Sequence, residues 1–389
     1  MNTLKNLLLL LGAIMTVTTF YSCEDLDWSL GSSQSRENCV DDIITQLTGD
    51  VRLDINNSDM GFGIKAPFLG GIINGHVQGV GRLGDWNGMG RMVLTETGTG
   101  KGFRVAFQSI ENATEGLYST VGNLSDPVSF DIQSVPTYGN HNHPGGLQAH
   151  GDYVAIAMEK GAEHAAVYFL KVEGRDVQFI NSLVMDGSRG EPYQANQNSA
   201  ETAGFVELDS GHFLVAVSSY YSAYGKRGIW FYESTTQFID ETTEWDFISF
   251  KEFACGGYGQ EQDDCFVGAG GGLNLVTDCS GDIYMLAMHG TSIGGSVIDN
   301  ILNFGGLFEK DKEWLQVFHV WEEGGEIALQ KVTQQRDKLG LLAANNKSFR
   351  WAGGSYISNN GTLAIFNTER RRHLGNNDYV NGEVYLGKK

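Results

Sequence analysis

Two sets of polar residues recur at matched places along the chain. Three residues before each of the glycines Gly79, Gly146, Gly204, Gly272 and Gly354 stand His76, His143, Glu201, Ala269 and Trp351. At the far end of the next apolar run but one stand Glu96, Glu159, Ser219, His289 and Glu369. Carboxylates and imidazoles gathered in one place have three chemical uses. Glu96, Glu159 and Glu369 are candidates for general acid, base or nucleophile in glycoside hydrolysis. There, carboxyl separations of about 5 Å or about 6.5–9.5 Å separate retaining from inverting chemistry. His76, His143, Glu201 and His289 are candidates for hydrogen bonding to a polar ligand, with Tyr220 and Trp351 as aromatic faces for a sugar ring. His76, His143 and Glu201 also form a two-imidazole, one-carboxylate set of the kind found at catalytic zinc sites. A divalent metal is therefore a possible cofactor, although equivalent positions around a wide ring stand far apart for bonds of about 2.0–2.2 Å. A solvated channel lining has the same composition, so a scaffold without any small-molecule site stays open.

The elements that position these groups follow from internal repetition, which at periods of tens of residues marks repeat architectures. The five glycines are separated by 67, 58, 68 and 82 residues. Each opens the same pattern: a small-residue step, an apolar strand, a tight turn and a second apolar strand. Further strand-like runs follow, such as AAVYFLKV and VQFINSLVM in the second unit. Four strands per unit is the plan of a propeller blade. The glycines fit a first strand crowded against its neighbours, where a side chain would collide. VRLDINN, residues 51–57, is a spare strand, and the last unit ends one strand short. Pairing the two would close the ring and remove open sheet edges. The expectation is an all-β propeller of five four-stranded blades over residues 51–389. A six-bladed ring and a β-sandwich are the alternatives. The resemblance to propellers reaches the architecture alone.

Residues 1–22 read as a signal peptide: Lys5, then an apolar run from Leu7 to Val17, too short for a membrane span of about 20 residues. Ser22-Cys23 resembles a lipobox. Glu24, Asp25 and Asp27 directly after it look like the surface-export tag of Bacteroidota lipoproteins. That resemblance implies lipidation of Cys23, a tether over residues 23–50, and an exported protein at the outer membrane or cell surface. Contact with the membrane is then expected through the lipid anchor alone. Of the remaining cysteines, Cys255 and Cys265 flank a short polar loop, and pairing them leaves Cys39 for Cys279. Four cysteines allow three pairings, so this is the preferred one rather than a unique solution.

The formal charge of −20 repels phosphate backbones, so no nucleic-acid partner is expected. Glycine at 52 residues against proline at 5 favours sheets with tight turns. No phosphate-binding or dinucleotide fingerprint is read, and no serine or cysteine nucleophile is singled out. The partner expected at the mouth is a polar small molecule or glycan, bound or hydrolysed.

Overall fold

The computed structural model describes residues 39–48, 52–54, 64–65, 76–97, 102–109, 125–132, 135, 143–159, 165–192, 199–219, 228–252, 266, 268–290, 312–338, 347–358, 361–369 and 379–385. Short strands β1 (Arg52–Asp54) and β2 (Ile64–Lys65) precede the repeats. Blade 1 is β3 (His76–Trp86), β4 (Met89–Thr97), β5 (Gly102–Ser109) and β6 (Ser125–Asp131), and blade 2 is β7 (His143–His150), β8 (Tyr153–Glu159), β9 (Ala165–Glu173) and β10 (Asp176–Met185). Blade 3 is β11 (Thr202–Glu207), β12 (Phe213–Ser219), β13 (Gly228–Ser234) and β14 (Trp245–Glu252). Blade 4 is β15 (Gly272–Thr277), β16 (Ile283–Gly290), β17 (Lys312–Glu323) and β18 (Glu326–Lys338). Blade 5 begins with β19 (Lys347–Ile357), β20 (Leu363–Glu369) and β21 (Tyr379–Tyr385).

Within each blade the strands are antiparallel and paired in chain order. Blades 2 and 3 join into one eight-stranded sheet through a single parallel bridge, Thr202 to Gly146, where their inner strands meet. Blade 5 takes its fourth strand from the other end of the chain. Arg52, Leu53 and Asp54 of β1 pair with Tyr385, Val384 and Glu383. The spare strand thus closes the ring as expected, and the protein is a five-bladed β-propeller.

The aligned glycines explain why the ring is tight. A Cβ on Gly79 would lie 2.9 Å from the backbone nitrogen of Leu147, in blade 2. On Gly146 it would lie 3.0 Å from Cβ of Thr202 in blade 3, and on Gly204 it would lie 2.7 Å from the carbonyl oxygen of Leu273 in blade 4. On Gly272 it would stand 2.5 Å from the carbonyl oxygen of Gly353 in blade 5. On Gly354 it would strike the carbonyl of Val80, back in blade 1. Each glycine therefore admits the inner strand of the next blade, all the way round.

The second strands are sandwiched between blades and read as continuous apolar runs. β12 and β16 are buried at every position, whereas the outer strand β10 alternates between buried and partly exposed residues. The core consequently lies between blades. Leu83, Val93 and Phe103 pack with Leu147 and Ile156 between blades 1 and 2. Phe169 and Phe205 do so between blades 2 and 3, and Ile229 and Met285 between blades 3 and 4. Buried amides stitch the centre. Gln148 Oε1 accepts from the backbone N–H groups of Phe205 (2.9 Å) and Leu275 (2.8 Å), and its Nε2 donates to the carbonyl of Leu275 at 2.7 Å. One side chain thereby ties blade 2 to blades 3 and 4.

Residues 39–48, expected within the tether, pack on the body. Cys39 is bonded to Cys279, the pairing preferred from the sequence. Val40 bridges Asp278, and helix α1 (Ile43–Thr48) follows, capped by Asp42, whose Oδ1 accepts from the backbone N–H of Thr45 at 2.9 Å. Hydrogen bonding from Thr45 holds the Asp42 carboxyl below its ordinary range. Val40, Ile43 and Leu47 are fully buried against Val276, Leu286, Leu363 and Ile365 of blades 4 and 5. Cys23, Cys255 and Cys265 lie outside the described residues.

Candidate functional site

The ends of the first and second strands place one set of chain ends on a single face, the mouth. The turns that join these two strands lie on the opposite, lower face. At the mouth, His143 opens β7 directly opposite Glu159, the last residue of β8. Glu159 Oε1 lies 3.0 Å from His143 Nδ1, with the imidazole 42% exposed and the carboxylate 13% exposed. The contact is electrostatic rather than aligned: Nδ1 and the second carboxylate oxygen are buried without a hydrogen bond. Loosely aligned pairs of this kind are common before a ligand arrives.

The other imidazole nitrogen is also engaged. Gln78 of blade 1 brings its Nε2 to 3.1 Å from His143 Nε2. Gln78 and Glu159 thus flank the imidazole on its two sides, and which nitrogen donates depends on the tautomer. Among the described residues no group of three His, Cys, Asp or Glu side chains is placed to hold a metal ion. The side chain of His76, the third member of the expected metal set, lies outside the described residues.

Glu201 and His289 both face Gly270 farther round the mouth. The backbone of Glu201 is fixed on both sides: its carbonyl accepts from Gly146 N at 2.7 Å, and its N–H donates to the carbonyl of Ser218 at 3.0 Å. Its side chain reaches toward blade 4. A Cβ on Gly270 would lie 3.6 Å from both Glu201 Oε2 and His289 Nδ1, and one on Gly268 would lie 3.2 Å from His289 Nδ1. The glycine-rich entry to blade 4 therefore leaves room where side chains stand in other blades. His289 is only 2% exposed, so it lies deeper than His143 and Glu159.

The remaining expected residues are placed by backbone alone. His76 pairs with Thr97 and Val77 with Glu96 at the upper end of blade 1, and Glu369 pairs with Lys347 in blade 5. Trp351 sits in the irregular stretch of β19 between Ser348 and Gly353. Tyr220 lies outside the described residues. The structure thus brings together His143 with Glu159, and turns Glu201 and His289 both toward Gly270. Sequence reasoning missed Gln78. The register of β3 against β4 shifts between Val77 and Gly79, and such a bulge re-aims the residue it inserts.

One sequence reading is corrected by the chain itself: residues 290–294 read Gly-Thr-Ser-Ile-Gly, a Gly-x-Ser-x-Gly run directly after His289. That motif makes a nucleophile on a strand-to-helix turn of an α/β sheet. Here it leaves β16 of an antiparallel blade, and Ser292 lies outside the described residues.

Known proteins are similar to the chain in structure alone, and distantly. No protein-family model matches it, and no curated protein does. Among solved structures it is similar to a protein of unknown function from Dyadobacter fermentans DSM 18053, at 10% identity and a TM-score of 0.40, over 86% of this chain and 99% of that one. It is also similar to the GH93 α-L-arabinofuranosidase of Fusarium graminearum, at 8% identity and a TM-score of 0.43, over 84% and 97%. A third is the xylan β-1,4-xylosidase of Bacillus halodurans C-125, at 14% identity and a TM-score of 0.40, over 82% of this chain and 54% of that one. Identities this low say nothing about the residues at the mouth. The propeller rests on the strand pairing described above.

Proposed function

We propose that the mouth of the ring binds a polar, hydroxyl-rich ligand, a carbohydrate, and that the protein is an exported surface lipoprotein that captures it. The observation that carries this reading is the Gln78–His143–Glu159 chain, which joins blades 1 and 2 at the mouth. A sugar hydroxyl both donates and accepts, and this row offers an amide, an imidazole and a carboxylate side by side. Glu201 and His289 extend the polar surface across blades 3 and 4 beside a gap that Gly270 keeps open. Trp351 and Tyr220 are the aromatic residues that would face a pyranose ring.

Hydrolysis at the same place is the second reading, supported by the Glu159 carboxylate lying 3.0 Å from the His143 imidazole. A screen of the purified protein against glycans tests both, with binding and product release measured together. Binding that weakens at least about tenfold in His143→Ala and Glu159→Gln, an effect of about 1.4 kcal/mol, supports capture. Product release abolished by Glu159→Gln moves the assignment to a hydrolase. A blank screen leaves the scaffold reading and removes this one.

A further inference from the structure

The N-terminal segment joins the body on the face opposite the mouth. Cys39 is bonded to Cys279 in the turn between β15 and β16, and Val40 bridges Asp278 in the same turn. Gln46 donates to the carbonyl of Gly361 at 3.2 Å, in the turn between β19 and β20. A Cβ on Gly361 would lie 3.0 Å from the carbonyl oxygen of Cys39, which shows how closely the segment lies on that turn. Both turns join a first strand to a second strand, so both are on the lower face. The attachment is covalent at Cys39 and reinforced by the buried side chains of Val40, Ile43 and Leu47.

We infer that this lower face is the membrane-facing side of the protein and that the mouth points away from the bilayer. The inference rests on the reading that Cys23 carries the lipid. Sixteen peptide steps separate Cys23 from Cys39, so the lower face stands no more than roughly 55 Å from the anchor. A body turned mouth-down would raise Cys39 by at least the length of a blade strand, about 26 Å for eight residues. That rise alone would take up about half of the tether's roughly 55 Å reach. The lower-face-down arrangement needs the least chain extension.

A second feature lies on the same side. Phe238, 58% exposed, is the exposed large hydrophobic side chain among the described residues. It sits in the turn between β13 and β14, which Gln237 ties to the β11–β12 turn by donating to the carbonyl of Ser210 at 2.7 Å. An apolar side chain standing out of a lower turn can enter the acyl boundary of a bilayer, as Phe does on interfacial helices. The partner of this face is accordingly a lipid surface, reached through the tether, and the ligand approaches the mouth from the opposite direction.

Energy transfer in proteoliposomes carrying the lipidated full-length protein tests the orientation. One fluorophore replaces Glu241, exposed on a lower turn, and another replaces Ser188, exposed at the mouth-side end of β10. Acceptors are placed on the lipid headgroups of phosphatidylcholine vesicles. Several-fold stronger transfer from position 241 than from 188 is expected. Equal transfer, or stronger transfer from 188, overturns the orientation. Transfer from neither position, with the wild type left in solution as Cys23→Ala is expected to be, overturns the anchor reading and the inference with it. A glycan screen succeeds or fails independently of all three results.

Discussion

Breaking the Cys39–Cys279 bond should weaken the whole ring while leaving the mouth intact. The bond spans 240 residues, a loop that contains blades 1 to 3 and the start of blade 4. The loop-entropy relation gives about 5.5 kcal/mol for a closure of that length, and native disulfides commonly deliver about 2–4 kcal/mol of such values. Unfolding entropy near the midpoint is about 2.1 cal/mol/K per residue, or roughly 0.7 kcal/mol/K for a body of roughly 350 residues. A loss of about 3 kcal/mol therefore lowers Tm by about 4 °C, and the full entropic value by about 8 °C. The assay is thermal unfolding of Cys39→Ala/Cys279→Ala beside the wild type, followed by near-ultraviolet circular dichroism. A second arm measures ligand binding at 25 °C, which the same variant should leave unchanged because the bond lies on the opposite face. A midpoint within about 1 °C of the wild type would refute the reasoning, since the segment would then add nothing to closure.

Deleting residues 51–57 removes the paired strand β1 and should cost about 2–3 kcal/mol, at about 1 kcal/mol for each of its backbone pairings; denaturant titration reads it. Gly272→Ala would place a Cβ 2.5 Å from the carbonyl oxygen of Gly353 and should cost about 1–3 kcal/mol through displacement of blade 5. Asp42→Ala should lower stability by about 1 kcal/mol through loss of the helix cap. Because hydrogen bonding depresses the folded-state pKa of Asp42, that difference is fully present above its ordinary value of 3.8 and fades as pH falls through the folded value. Desolvation lowers the pKa of His150, so its contribution is present above 6.5 and is lost as pH falls below that value. His150→Gln should therefore flatten the acid limb of the stability curve below pH 6.5, and an unchanged limb would remove His150 from the account.

The parts of the fold legible in the sequence are those dictated by sterics close to the backbone. Gly79, Gly146, Gly204, Gly272 and Gly354 announce the blades because each meets the neighbouring strand within a few ångströms. The closing strand was countable: one strand too many at the start, one too few at the end. Other parts depend on geometry that residue spacing does not encode. Gln78 reaches His143 because a register shift turns it there, and a regular strand would have turned it elsewhere. Gln148 looks like any strand glutamine until its partners appear, and those partners are backbone groups two blades away. Helix α1 carried a readable signal, an aspartate cap followed by Ile43 and Leu47 four apart, but one turn and a half is short for a pattern to declare itself. Glu201 and His289 were visible as ring members. Their shared approach to Gly270 is set by a residue without a side chain, and a missing side chain marks no partner.

The placement of seam and site has a mechanical consequence. Closure involves blades 4 and 5: the disulfide and α1 dock residues 39–48 on both, and β1 completes blade 5 by pairing with β21. The described polar groups of the mouth come from blades 1 to 4: Gln78, His143, Glu159, Glu201 and His289. Their relative positions are set by the Gly146–Glu201 backbone bond and by Gln148, which lie inside the arc of blades 2 to 4 and away from the seam. Loosening the seam therefore opens the ring at blade 5 before it moves His143 relative to Glu159, which share one hairpin. The irregular stretch of β19 in blade 5 holds Trp351, and blade 5 is the blade completed by β1 from the N-terminal part of the chain. A ligand that touches blade 5 would draw the seam shut and raise the melting temperature of the disulfide-free protein more than that of the wild type. A ligand held by blades 1 to 4 alone would raise both equally.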